Sequence, residues 1–169
     1  MHPPTYANRE AIAAARPGRG FEAAAPGLWC CGDLQALARP CVAIVGTRAA
    51  TPLGRRLAQR FAADLGCAGC CIVSGLALGI DAAAHEGALE AAAPTVGVLG
   101  GGHGRFFPPR NLGLAERMLA AGGAVLSPYP PDHQAQPWQF LERNGIVAAL
   151  ADAVVVIEAP ARRDRKSTV

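Results

Sequence analysis

Three residues within twelve positions could do chemistry: Ser74, Asp81 and His85, in the stretch IVSGLALGIDAAAHEG. Serine, aspartate and histidine are the side chains of acyl transfer. Their setting argues against it, because Ser74 lacks the Gly-x-Ser-x-Gly turn that presents a nucleophile, and the chain order gives no triad. Asp81 stands where an N-cap carboxylate would satisfy free N–H groups at the start of an alanine-rich helical pattern. His85, one turn on, shares its face and is placed to pair with it. The stretch therefore reads as strand, glycine-bounded loop and helix start. Such a turn can hold an anion on backbone N–H groups.

Loops of the same kind recur. Gly46-Thr47-Arg48 follows the apolar run CVAIVG. Ser74 to Gly79 follows CCIVS, Gly100-Gly101-Gly102-His103-Gly104-Arg105 follows TVGVLG, and Ser127-Pro128-Tyr129-Pro130 follows GAVLS. Glycines permit close backbone approach to a ligand. Arg48, Arg105, Arg110 and Arg143 can add charge-assisted contacts to an anion such as a nucleotide or nucleic-acid phosphate. Neither the dinucleotide fingerprint Gly-x-Gly-x-x-Gly after the first strand nor a Walker A pattern is present.

The elements that must position these loops alternate. Strands are expected at 41–46, 70–74, 95–100, 123–127 and 153–159, each a short continuous apolar run, as in strands covered on both faces. Helices are expected from Pro52, with Thr51 as N-cap, and over 81–91, 111–121 and 137–150. In the first helix Leu53, Leu57, Phe61 and Leu65 recur every four residues, which predicts the buried face, opposite Arg55, Arg56, Gln59 and Arg60. The expected fold class is α/β, a doubly wound, mainly parallel sheet with helices on both faces. Ligands then bind at the C-terminal ends of the strands, and Glu158 at the end of the last strand is the most site-like carboxylate.

Composition narrows the classes. The net charge of +3 comes entirely from the tail RRDRKSTV, since residues 1–160 hold twelve arginines against twelve acidic residues. Bulk charge therefore does not argue for nucleic acid. No apolar stretch is long enough to span a membrane, and the first residues do not read as a secretion signal, so a cytoplasmic protein without membrane contact is expected. Six cysteines in such a chain read as small buried hydrophobes and a loop thiol. Cys67-Ala-Gly-Cys70 has zinc-like spacing but no second ligand pair, so no metal and no cofactor are expected.

VAIVGTR, SGLALGIDAAAHEGAL, VGVLGGG with Pro108 and Asn111, GGAVLS and RNGIVAALADAVVVIEA occur in order. This set resembles the DprA/Smf family of DNA-processing proteins from about Pro26 to Ala159. The resemblance implies an extended Rossmann-like fold over 41–159, with 1–40 the remnant of a helical domain and 160–169 a disordered basic tail. It implies a non-enzymatic protein of natural transformation that binds single-stranded DNA, dimerises and helps load the RecA recombinase. The DNA or phosphate contacts implied are Gly46, Thr47, Arg48, Ser74, Gly75, Gly79, Asp81, Arg143 and Asn144; His85, Gly100 and Gly101 complete the expected site.

The sequence also departs from the family. Leu78 and Gly145 stand where the family has arginine, Leu141 replaces a proline, and Pro128 stands where glutamate is usual. Each missing cation is expected to weaken strand binding by about 1–3 kcal/mol. After Ala159 the family pattern stops, which reads as a truncation. Two alternatives stand beside the DNA-binding reading: a Rossmann-like nucleotide-binding or nucleotide-hydrolysing protein, and a non-binding remnant.

Overall fold

The computed structural model describes residues 2–16 and 25–159. Its centre is a seven-stranded sheet in the order β1-β2-β6-β5-β4-β3-β7. The strands are β1 (Thr5–Asn8), β2 (Gly27–Gly32), β3 (Cys41–Gly46), β4 (Cys71–Ser74), β5 (Thr95–Val98), β6 (Ala124–Ser127) and β7 (Ala153–Ile157). Strands β3 to β7 pair in parallel. The first two join antiparallel at the β6 side. The sequence set residues 1–40 apart. The described part of them extends the same sheet and shares its core, through Ile12, Leu28 and Leu37. The tail 160–169 lies outside the described residues.

The chain steps from β3 to β6 in one direction, through α2 (Pro52–Cys67), α3 (Ile80–Glu90) and α4 (Leu112–Ala120). It then reverses. Helix α5 (Gln139–Ala149) carries it back across the sheet, so that β7 pairs with the far side of β3. Right-handed crossovers in opposite directions place their helices on opposite faces. Alternate strand residues record this. Cys41, Ala43, Val73 and Val98 pack with Ile146 and Val147 of α5 and with Leu150 just after it. Val42, Ile44 and Ile72 pack with Ala58, Ala62 and Ala84 of α2 and α3. Strands β3 to β6 are apolar on both sides because both sides are covered, whereas Val154 and Val156 of the edge strand β7 are exposed.

Arg55, Arg56 and Arg60 are exposed as expected, but most of the leucine stripe of α2 is not the buried face. Leu53, Leu57 and Phe61 are exposed, and the buried stripe is Gly54, Ala58, Ala62 and Gly66. Two stripes of period four run side by side on this helix, one large and one small. The small one wins because α3 approaches too closely for larger side chains. A Cβ added to Gly87 of α3 would press on the backbone of Gln59. Thr51 does cap α2, accepting from Gly54 N at 3.0 Å.

An alanine inside a helix normally stabilises relative to glycine by about 0.5–1 kcal/mol. Gly87→Ala is expected to do the reverse here, costing about 1–3 kcal/mol by overpacking the α2–α3 seam. Urea unfolding measures the sign, and a variant as stable as the parent contradicts the close-packed seam.

Candidate functional site

The loops that leave β3, β4, β5 and β6 converge at one end of the sheet, and their glycines are what lets them touch. Gly79 precedes α3 with φ +81°, and a Cβ there would meet the carbonyls of Thr47 and Arg48. Ile80 N donates to Thr47 O at 3.3 Å, and Thr47 N to Glu158 O at 2.9 Å. Gly46, Thr47 and Gly79 are half-buried along this contact, and Arg48 is exposed. The Arg48 guanidinium lies over the Phe140 ring, 4.8 Å from its centroid, a cation–π arrangement that fixes a flexible side chain.

Beneath this surface lies a buried polar cluster. Arg143, 2% exposed, reaches from α5 to the ends of β4 and β5, donating through Nη1 to Gly75 O and Val98 O. The approach is close enough that a Cβ on Gly75 would strike the guanidinium. Burial, followed by repulsion from Arg48, pulls the Arg143 pKa down to about 10, while the Asp81 carboxylate opposes the fall. The side chain is therefore cationic at neutral pH. Burial raises Asp81, and Arg143, the Ala77 and Gly75 backbone and Ser74 draw it back. Asp81 is thus the counter-charge of Arg143. It does not take the expected capping position, which falls to Gly79 without a side-chain bond.

His85 does not pair with Asp81 either. Its Nδ1 lies 2.7 Å from Thr95 Oγ1. That hydroxyl already donates to Ile72 O at 2.8 Å, so His85 Nδ1 carries the hydrogen and donates. Full burial, then the Arg143 charge, holds its pKa down at about 3. His85 is a neutral tie between α3 and β5. Ser74 is equally internal, its Oγ donating to Ile44 O at 2.6 Å across β3–β4.

The glycine run after β5 is filled by the protein itself. Gly100 lies under Phe140, and Gly101 against Ala135. Gly102 N and Gly104 N donate to His133 O and Pro131 O, each at 2.8 Å. Ser127 Oγ donates to Gly101 O at 2.8 Å. Asn111 Nδ2 donates to Leu76 O at 2.8 Å and holds the loop after β4. Of the expected site residues, Ser74, Gly75, Asp81, His85, Gly100, Gly101 and Arg143 are buried, while Arg48 and Asn144 are exposed. Asn144 Oδ1 accepts from Arg143 Nε at 3.2 Å.

Glu158 has a role that its position did not announce. Its carboxylate accepts from Thr51 N at 2.9 Å and lies beside Gly54 at the start of α2. A negative charge is favourable there. The starts of α2 and α3 thus each hold a carboxylate of the protein's own. The Phe140 ring under Arg48 was also missed, since an aromatic within a helical pattern gives no sign of which cation lies on it. Among the described residues no group of three or more His, Cys, Asp or Glu could hold a metal ion, and no helix is long and apolar enough to cross a membrane.

Against this geometry stand the similarities to known proteins. The family model for DNA recombination-mediator protein A matches residues 16–165. The chain is 41% identical over 143 residues to the putative DNA processing protein DprA of Mycobacterium tuberculosis, covering 83% of this chain and 36% of that protein. It is 38% identical over 117 residues to DprA of Bacillus subtilis, covering 69% of this chain and 39% of that one. The solved structure of DprA from Streptococcus pneumoniae superposes with a TM-score of 0.73 at 38% identity, over 81% of this chain and 48% of that chain. A structure of the Helicobacter pylori protein, described for its single-stranded DNA binding mode, gives 0.73 at 35% identity, over 81% and 62%. The chain thus spans less than half the length of the Mycobacterium tuberculosis and Bacillus subtilis proteins.

Removing the Arg143 guanidinium leaves the buried Gly75 and Val98 carbonyls without their donor, which costs about 1–3 kcal/mol for each group left unsatisfied. Arg143→Met should lower the urea midpoint accordingly, and a variant of parental stability would refute this role. His85 gives a pH signature. Its folded pKa of about 3 lies below the ordinary 6.5, so the unfolded chain binds the proton first as pH falls. The stabilising effect of a neutral His85 is complete above pH 6.5 and declines from there to about pH 3, by up to about 1.4 kcal/mol per pH unit. Buried Asp81, with its raised pKa, acts in the opposite sense in acid. The His85 contribution is therefore read as wild type minus His85→Asn, each unfolded at pH 7 and pH 4.5. A difference that does not change with pH contradicts a buried neutral histidine.

Proposed function

The chain belongs to the DprA/Smf family of DNA-processing proteins, and from that premise we propose that it binds single-stranded DNA at the edge carrying Arg48. The observation that carries the reading is the seating of Arg48. It is exposed, it has no ion-pair partner among the described residues, and it is held on Phe140 where four loops meet. A cation fixed in this way is suited to a phosphate. Thr47, Gly79 and Asn144 flank it, and the buried Arg143–Asp81 cluster sets the shape of the surface from below. The role is that of the family: a non-catalytic, cytoplasmic protein of transformation and recombination, acting as a homodimer to protect single strands and pass them to RecA.

Carboxylates at the starts of α2 and α3 favour this reading over a nucleotide pocket. A nucleotide's phosphates are commonly taken by those helix ends; here the Glu158 carboxylate already accepts from Thr51 N at the start of α2, and Asp81 puts a negative charge in the first turn of α3. A strand lying across the exposed edge needs neither. The family's missing arginines weaken the grip without changing its place. Position 145 is open to a larger residue, with no atom within 4 Å of an added Cβ.

Fluorescence anisotropy of a labelled single-stranded oligonucleotide, titrated across salt, tests the reading. Arg48→Ala should weaken binding by about 1.5–3 kcal/mol and flatten the salt dependence. Leu78→Arg with Gly145→Arg should tighten binding and steepen it. Binding that ignores Arg48 overturns the reading, as does a well-folded protein that binds no single strand.

A further inference from the structure

Two aromatic rings stand in solvent at the edge that carries Arg48. Phe107 is 53% exposed and Trp138 is 56% exposed. Phe107 lies in the loop after β5, between the exposed Arg105 and Arg110. Its ring centroid is 5.9 Å from that of Phe140, the ring on which Arg48 is seated. Trp138 directly precedes α5, two residues before Phe140. Its indole N–H has no acceptor among the described residues. The other exposed aromatic rings among the described residues are accounted for elsewhere. Tyr6 packs edge-on against Trp29, and Phe61 continues the leucine stripe of α2.

A ring half in water contributes little to a core, so these two need a different account. Their neighbours supply it. Flat apolar faces beside unpaired arginines match a ligand whose own flat faces are joined by closely spaced anions. An unpaired nucleic-acid strand is such a ligand, because its bases can stack while its phosphates meet the cations. A duplex hides its base faces and does not fit. We infer that Phe107 and Trp138 are base-stacking platforms, holding unpaired bases beside the phosphate taken by Arg48. Phe140 is not one of them, since it is half-buried between Arg48 and Gly100. The inference rests on the single-strand binding proposed above. Stacking accepts any base, so the platforms add affinity without sequence preference. They also add it without charge, which offsets part of what Leu78 and Gly145 remove.

The test separates bases from phosphates. Oligo(dT) and an abasic oligonucleotide of the same length carry the same backbone charge. Both are titrated against wild type, Phe107→Ala with Trp138→Ala, and Arg48→Ala, with circular dichroism confirming the fold of each. The aromatic double variant should lose at least about fivefold for oligo(dT), with an unchanged salt slope and unchanged abasic binding. Arg48→Ala should lose on both probes. Restoring aromatic faces with Phe107→Trp and Trp138→Phe should recover oligo(dT) binding. The inference fails if the double variant binds oligo(dT) like wild type, or loses both probes equally, while Arg48→Ala still weakens binding. If wild type binds neither probe, the single-strand reading fails and takes this one with it.

Discussion

One buried guanidinium holds together the edge of the sheet that carries Arg48. Arg143 comes from the only helix on its face among the parallel crossovers, and it ends at the carbonyls that close β4 and β5. Those carbonyls are at strand ends, where the ladder has stopped and a partner must come from elsewhere. A neutral donor could serve one of them. The guanidinium serves both and brings a charge that Asp81 must answer. Two faces of the sheet are thereby tied through its edge: α5 on one side, α3 on the other. The close approach explains Gly75, and the loop that Gly75 opens then fixes Gly79 against Thr47 and Arg48.

This arrangement separates two kinds of residue that look alike in the sequence. Polar side chains in these motifs can meet a ligand or satisfy the protein. Ser74, His85, Ser127 and Asn111 satisfy the protein, each bonded to a backbone carbonyl or a threonine hydroxyl within it. The glycine run after β5 does likewise, its N–H groups taken by the 131–133 segment. What remains on the outside is Arg48 with its flanking groups. The membership in the DprA/Smf family and the place of Arg48 therefore bear on function together, while the long motif around Asp81 and His85 bears first on the shape of the edge.

Much of the fold was legible because strand and helix periods were clean. All five parallel strands fall where apolar runs predicted, and α2 to α5 follow with small shifts at their ends. The direction of the loops followed from parallel order alone. What was not legible depended on distances between elements. The exposed stripe of α2 was misread because hydrophobicity gives no measure of how closely α3 approaches, and close approach selects Gly54, Ala58, Ala62 and Gly66. Asp81 was misread as a cap because its counter-charge sits 62 positions away in sequence. Glu158 was rightly placed at the edge, yet its partner at the start of α2 is invisible without the β3–β7 pairing. β1 is a four-residue strand at the sheet's margin, and β2 ends in Gly32 with cysteines in its run, so neither gives a clear strand pattern.

The account holds that exposed residues grip a single strand while the buried cluster stays fixed beneath them. A crystal structure of this chain with a short oligo(dT) examines both halves together. The expected result is a phosphate on the Arg48 guanidinium, with Arg143 still bonded to Gly75 O and Val98 O and making no contact with the strand. A strand bound on another surface, or Arg143 released from those carbonyls to take a phosphate, would contradict it.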